Sequence, residues 1–330
     1  MQPPLGRRAL GAAALVALAR PGLAQTDAAA WPNRPVRLIV GYPAGGSTDV
    51  CARILAEDFR ARLPQPVVVE NRTGANGSLG AAHVAQATDG HTLLVSNTST
   101  MTVNHLLLRD ARYHPLRDLL PIATITVSPF ILVVNARNPR TQGVRSLQDL
   151  VAMAKRRPGE ITYGSAGIGN LQHLNMELLL SMAGIQVLHV PYRGSSVATN
   201  ALVAGEVDLL LETPTTGAPL IQAGTFAPLA STGATRWREL PEVPTVAEAG
   251  YPDFTATFWN GLVAPANTSP VVVDRLHGLV RQAAEAPGAR RLLLTQGDVM
   301  VLGPREFRDR IALDIERNAA VIKAAGIEMQ

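Results

Sequence analysis

An α/β fold built as two hinged lobes is predicted from three features of the sequence. Short runs rich in Val, Ile and Leu alternate with amphipathic segments, and clusters of Gly, Pro, Asn or Asp separate them. That is the pattern of repeated β-loop-α units around parallel sheets. The repeats form two series, and two strand-like stretches, Phe130–Val134 and Thr257–Val263, stand where each can carry the chain between lobes. A chain that crosses twice places residues 25–130 and 256–330 in the first lobe and 131–255 in the second.

The N-terminus reads as an address. Arg7-Arg8 precede an apolar run from Ala9 to Ala19, and Gly22-Leu23-Ala24 place small residues at positions −3 and −1 of a cleavage site. The run is 11 residues long, whereas a membrane-spanning helix needs roughly 20. Residues 1–24 are therefore predicted to be a signal peptide cut near Ala24. The protein is expected in the periplasm, exported by Sec or, given the paired arginines, by the twin-arginine route. Removing three arginines and no acid lowers the formal net charge from +4 to +1. Such a balance gives no electrostatic reason to expect nucleic acid or an anionic membrane as partner. Cys51 is the only cysteine, which excludes an internal disulfide and a Cys/His metal cluster. No cofactor is expected, and the chain is expected to act as a monomer.

In the first series Val36–Val40 reads as a strand and Asp49–Leu63 as a helix with Val50, Ile54, Leu55 and Phe59 on one face. Val67–Val69 is the next strand, Ser78–Ala87 a helix, Asp89-Gly90 a turn and Thr92–Val95 a strand. The second series begins with Ser146-x-x-Asp149, a capping-box pattern ahead of the helix Leu147–Lys155. It continues through strand Ile161–Tyr163, helix Leu171–Ala183 stopped by Gly184, strand Val187–Val190, helix Val197–Ala204, strand Val207–Leu211 and a helix ending at Gly224. Helices near Val271–Glu285, Gly288–Thr295 and Arg305–Ala325 then return to the first lobe.

Two glycine-rich loops carry the chemistry. The segment from Gly41 through Tyr42, Pro43, Ala44, Gly45, Gly46, Ser47 and Thr48 to Asp49 lies between a strand and a helix. Glycine lets the backbone turn with amides exposed, and the helix start adds unpaired N–H groups and positive dipole. A loop of this kind binds anions. It approaches the phosphate-binding GxxxxGK[ST] pattern, but Ser47 stands where the lysine is required, which argues against a nucleotide. A tight turn capped by Ser47 or Thr48 is the plainer reading and accounts for only one of the glycines.

The second loop, Gly164-Ser165-Ala166-Gly167-Ile168-Gly169-Asn170, follows strand Ile161–Tyr163 and precedes a helix containing His173. It satisfies neither the nucleophile elbow nor the dinucleotide fingerprint. Placed on opposite lobes, the two loops can grip a carboxylate from both sides of a cleft without an arginine. Asn97, Thr98 and Ser99, Tyr192 with Arg193, and Glu212 with Thr213 follow strands, where open α/β sheets bind ligands. The seven histidines are scattered without a metal spacing, and the carboxylates form no acid/base pair.

Several ordered motifs carry a family resemblance. They are Trp31 to Val40, the loop from Pro43 to Asp49, Pro66 to Arg72 with Gly74, Asp89 to Leu94, Tyr163 to Gly167, His189 to Gly194 and Leu240 to Gly250. Together they resemble the Bug-type receptors of tripartite tricarboxylate transporters over nearly all of the chain after residue 24. The resemblance implies a two-lobed periplasmic-binding-protein fold, type II-like, with the ligand cleft between lobes. It implies a non-enzymatic solute-binding protein for dicarboxylates, tricarboxylates, acidic amino acids or aromatic acids, with membrane subunits of the tripartite type as partners.

The family's carboxylate grip maps onto Tyr42, Ala44, Gly45, Gly46 and Ser47 and onto Ser165, Ala166, Gly167, Ile168 and Gly169, beside Tyr163, with Asp49 in support. Two segments depart from the pattern: Gly-Tyr-Pro-Ala replaces the usual Pro-Phe-Pro-Pro, and Leu211-Glu212-Thr213 replaces a Phe-Asp-Asn-like triplet. Two other functions are open on sequence grounds, a ligand-sensing receptor for a membrane kinase and a cofactor-free hydrolase using Ser165.

Overall fold

A computed structural model describes residues 31–328; the leader predicted over residues 1–24 lies outside them. The described chain opens with β1 (Val36–Val40), α1 (Ser47–Arg60), β2 (Val67–Asn71), α2 (Ser78–Ala85) and β3 (Thr92–Asn97), followed by the short helices α3 (Thr98–Thr102) and α4 (Asn104–Leu107) and by β4 (Leu119–Pro129). The second series runs β5 (Ile131–Asn135), α5 (Leu147–Arg156), β6 (Thr162–Ser165), α6 (Leu171–Ala183), β7 (Leu188–Pro191), α7 (Ser195–Ala204), β8 (Leu209–Glu212), α8 (Pro214–Gln222) and β9 (Phe226–Ser231). The chain ends with β10 (Thr257–Pro265), α9 (Pro270–Glu285), α10 (Pro287–Leu294), β11 (Asp298–Val299) and α11 (Pro304–Ala324).

Two sheets result, a six-stranded one ordered β11-β4-β10-β3-β1-β2 and a five-stranded one ordered β7-β6-β8-β5-β9. Both are sandwiched between helical layers, which explains the near-continuous apolar runs. In β1, Val36, Leu38 and Val40 face one core with α1 and α9, while Ile39 faces the other with α2 and α11. In β5, Leu132 and Val134 face the α6 side, and Ile131 and Val133 the α7 side.

The expectation of parallel sheets needs correction, because both are mixed. β10 runs antiparallel to β3 and β4, and β5 antiparallel to β8 and β9. Strands that carry the chain between sheets enter each against the direction of the βαβ units. β4, β9 and β11 were not foreseen. Pro121 and Pro228 obscure the strand pattern of β4 and β9; Pro121 faces Val263 just past a register shift, and Pro228 sits at one on the edge strand β9. Such places tolerate a residue without an N–H.

The chain passes from the first sheet to the second at Phe130, between β4 and β5, and returns through Ala256 into β10. Thr232 joins these crossings: its amide donates to Phe130 O at 2.9 Å, its hydroxyl accepts from Phe130 N at 2.8 Å, and its carbonyl accepts from Ala256 N at 2.7 Å. The Phe130 and Phe258 rings stack beside it, centroids 4.9 Å apart. Helix α11 does not simply return to the first lobe. Phe307 and Ile311 join the first sheet's core, while Val321 and Ile322 pack against the core on the α6 side of the second sheet. No helix among the described residues is long and apolar enough to cross a membrane.

Candidate functional site

The cleft lies where helix starts from both lobes meet above the stacked phenyl rings. Its cavity volume in this conformation is about 50 Å³. Ser47 and Thr48 begin α1 at its wall, and Thr98 and Ser99 begin α3. From the other lobe come Leu171 and Gln172 of α6, Ser195 and Ser196 of α7, and Thr213 ahead of α8. Five helices thus point their N-terminal ends at one space. The first-turn amides of a helix have no partner within it, and the dipole adds partial positive charge there. No lining residue carries a formal charge, so an anion would meet oriented donors rather than a cation.

The first loop is shaped from beneath. Gly45 adopts a φ of +84°, and its amide donates to Asp49 Oδ2 at 3.0 Å. Asp49 also accepts from Arg53 and from Asn71. Burial pushes the Asp49 carboxyl up, but Arg53, the Gly45 amide and Asn71 together hold it below the usual range. The helix starts at Ser47, two residues before the predicted Asp49, and Gly46 rather than Ser47 or Thr48 is the cap. Both hydroxyls are engaged elsewhere. Asn260, fully buried on β10, donates to Ser47 Oγ at 2.9 Å and accepts from Thr48 Oγ1 at 2.9 Å. Asn97 Nδ2 donates to Thr48 Oγ1 at 3.1 Å, and the Tyr42 hydroxyl lies 3.0 Å from Thr100 Oγ1. Burial raises the Tyr42 phenol to about 12, so it is neutral.

The second loop is differently used from the expectation of free amides. Ala166 N donates to Gln172 Oε1 at 2.9 Å, Gly167 N to Ser165 Oγ at 3.2 Å and Gly169 N to His173 Nδ1 at 3.1 Å. These donors hold the loop. Asn170 caps α6 by accepting from His173 N, and Gln172 also donates to Leu211 O. What the second lobe offers the cleft is the start of α6, the Ser195-Ser196 pair and Thr213.

Of the expected site residues, Tyr42, Gly46, Ser47, Asn97, Thr98, Ser99 and Ala166 line this cleft. Gly167, Ile168 and Tyr192 line an adjoining cavity on the Tyr42 side, with Arg193. Ala44 sits at the rim, its carbonyl accepting from Ser196 Oγ at 3.4 Å, and Gly45 faces a third cavity beyond α8. Asp49, Tyr163, Ser165, Gly169 and Glu212 line none of these three cavities. Asn260, Gln172, Phe130 and Phe258 were not singled out as site residues. The serines at 195 and 196 follow the Gly194 turn, a glycine-led helix start of the same kind as the first two, and that signal was present in the sequence.

Ser165 meets His189, with Oγ 2.7 Å from Nε2. This does not make a nucleophile. Ser165 is fully buried, and His189 is stacked between Tyr163 and His173 instead of being oriented by a carboxylate. Burial, then the neighbouring His173, push His189 down to about 3, too weak a base at neutral pH. Among the described residues no group of His, Cys, Asp and Glu side chains could hold a metal.

The profile of the tripartite tricarboxylate transporter family receptor matches residues 51–327. Protein BugT of Bordetella pertussis is 36% identical over 310 residues, 93% of this chain and 94% of BugT. A Cupriavidus necator protein from the gbd 5' region is 36% identical over 322 residues, 97% of this chain and 95% of its own length. Among solved structures, R. palustris Rpa4515 with adipate superposes with a TM-score of 0.86 at 33% identity, covering 91% of this chain and all of that one. The periplasmic binding protein BugD gives 0.84 at 31%, with 91% and 100% covered. MatC of Rhodopseudomonas palustris with bound malate gives 0.81 at 29%, with 88% and 100% covered. The two-sheet architecture is the periplasmic-binding-protein fold, the chain is a solute binder and not an enzyme, and it belongs to the tripartite tricarboxylate transporter receptor family.

Proposed function

We propose that the protein captures a small carboxylate-bearing solute between its lobes and passes it to membrane subunits of the tripartite type. The observation that carries this reading is the convergence of five helix N-termini on an uncharged cleft. Partial charges fixed in the backbone suit a carboxylate and cost no desolvation of a buried cation. Structural relatives with adipate and with malate support the same class. Ser47, Thr98 and Ser99 contact the solute from the first lobe, and Ser195, Ser196 and Thr213 from the second. Tyr42, Asp49, Ser165 and Gly169 hold the loops in shape.

Residues 25–130 with 256–330, and 131–255, move as two bodies about Phe130 and Ala256, closing on the solute. The leader over residues 1–24 directs export and is removed near Ala24, and the mature protein acts as a monomer in the periplasm. A ligand present at 100 times its Kd stabilises by about 2.7 kcal/mol, so thermal shifts against a panel of carboxylates, sugars and nucleotides test the reading. Acids should shift the melting temperature and the others should not. Shifts with sugars or nucleotides and with no acid would overturn it.

A further inference from the structure

Glu212 ends β8 fully buried, one residue before Thr213 at the cleft wall. Its Oε2 accepts from the Thr216 hydroxyl, and the Thr216 and Thr213 hydroxyls lie 3.1 Å apart. Its Oε1 lies 2.6 Å from the Thr199 hydroxyl, which is also 2.9 Å from Ser195 O. A threonine hydroxyl has one proton to give. The two protonation states of Glu212 therefore impose different hydrogen-bond directions on the chain.

With Glu212 ionised, Thr216 gives its proton to the carboxylate and must accept from Thr213, so Thr213 turns lone pairs toward the cleft. With Glu212 protonated on Oε2, Thr199 still donating to Oε1, the carboxyl gives its proton to Thr216, Thr216 gives its own to Thr213, and Thr213 turns its proton toward the cleft. An anion needs the second arrangement. We infer that Glu212 governs, through Thr216, whether Thr213 presents a donor or an acceptor to the cleft, so that an anionic solute binds with uptake of one proton from solvent onto Glu212. The inference rests on the carboxylate reading above and adds its regulation.

The surroundings leave Glu212 free to act alone. Neither α7, α8, β5 nor β9 carries a titratable side chain. On β6, β7 and α6, Tyr163 is bonded to Glu177 and stacked on His189, which in turn stacks on His173. Asp208, before β8, pairs with Arg140 and accepts from Thr162. On α1, which packs against α8, Asp49 is paired with Arg53, and burial raises Cys51 to about 12. Burial pushes Glu212 up to about 7, against the opposing bonds from Thr199, Thr216 and the Thr213 amide. The change of state thus falls in the neutral range.

The test is calorimetric binding of malate and of adipate between about pH 6 and pH 8.5, in buffers of different ionisation enthalpy, where proton linkage is read directly. The Kd should rise with pH, approaching about tenfold per unit above the Glu212 titration, with up to one proton taken up per solute. Glu212→Gln keeps a permanent donor toward Thr216, so its Kd should be flat with pH and its proton uptake lost. Thr216→Val breaks the relay with Glu212 in place and should also flatten the profile. In the ligand-free protein, infrared spectra at about pH 6 should show a buried protonated carboxyl band that is absent from Glu212→Gln.

A pH-independent Kd in the wild type, or pH dependence surviving in both variants, would overturn this inference and leave the carboxylate reading standing. A missing carboxyl band would overturn it whatever the solutes do. Failure of every carboxylate to bind at any pH would overturn both.

Discussion

The Leu171 amide, at the first turn of α6, donates to the Ser99 hydroxyl on α3 at 3.0 Å. This bond joins the two lobes directly across the cleft, so the first-turn amide of α6 is satisfied from the opposite lobe. Gly194 also meets Pro43 across the same gap, and Ser196 reaches Ala44 O. The described conformation is therefore closed.

Ser99→Ala should loosen that closure. The Leu171 amide loses its partner only when the lobes are together, so the cost falls on the closed state. A neutral hydrogen bond contributes about 1 kcal/mol net, which corresponds to about a fivefold rise in Kd. Calorimetry should show that loss with little change in melting temperature of the unliganded protein in the open state. A Kd that stays at the wild-type value would contradict it.

Asn260→Ala should weaken binding and folding together. The buried amide serves Ser47, Thr48 and Thr126 at once. Removing one partner of a buried network costs about 1–3 kcal/mol. Chemical denaturation should detect that cost, and the Kd should rise because Ser47 and Thr48 lose their fixed orientation at the start of α1. An unchanged Kd in the folded variant would show that the hydroxyls are oriented by something else.

Much of this arrangement was legible in the sequence. Strand β1 and helix α6 have the predicted bounds, because β-branched runs and a Gly184 stop leave little choice of structure. The α3 start was legible from the rule that ligands sit at the carboxyl ends of strands, the first loop from its glycines ahead of a helix start, and Ala166 from the family resemblance of the second loop. Asn260 was not legible: it lies in an apolar crossing strand, more than 200 positions from Ser47, and only tertiary folding brings them together. Nor was the use of the second loop's amides, since Gln172 and His173 reach back to them only once α6 has formed. Sequence spacing identifies exposed donors but not the side chains that later occupy them.

Acid should destabilise the protein through its stacked histidines, with Glu212 acting the other way. Burial, then His173, lowers His189 to about 3, and burial lowers His173 to about 4. The unfolded chain therefore takes up these protons first, and stability held above about pH 6.5 is lost as pH falls through 6.5 toward 4, by up to about 1.4 kcal/mol per unit per group. Glu212 is raised by burial to about 7, so the folded state keeps its proton while the unfolded chain releases it, and that group gains stability as pH falls from about 7 to 4.5. His189→Gln, which can still bond Ser165, should lose less stability than wild type between about pH 7 and 5. Glu212→Gln should lose more. Melting temperatures across that range check both signs, and parallel curves for all three proteins would refute the assignment.

Gly194→Ala and Gly45→Ala should separate backbone strain from lobe closure. Both glycines have positive φ, +123° and +84°, and an alanine there costs on the order of 1–3 kcal/mol. A Cβ on Gly45 meets nothing within 4 Å, whereas one on Gly194 would lie 2.8 Å from Pro43 Cδ on the opposite lobe. Gly45→Ala should therefore lower the melting temperature and alter the Kd only through the loop's shape. Gly194→Ala should carry a similar strain and, in addition, hold the lobes apart by wedging against Pro43. Its Kd should rise by about tenfold more than its stability loss accounts for, roughly 1.4 kcal/mol of closure energy. Pro43→Ala in the Gly194→Ala background should recover part of that binding, because the wedge then has room, and should leave the strain on folding unchanged. Without such recovery, the defect of Gly194→Ala lies in the α7 start itself and not in the contact between lobes.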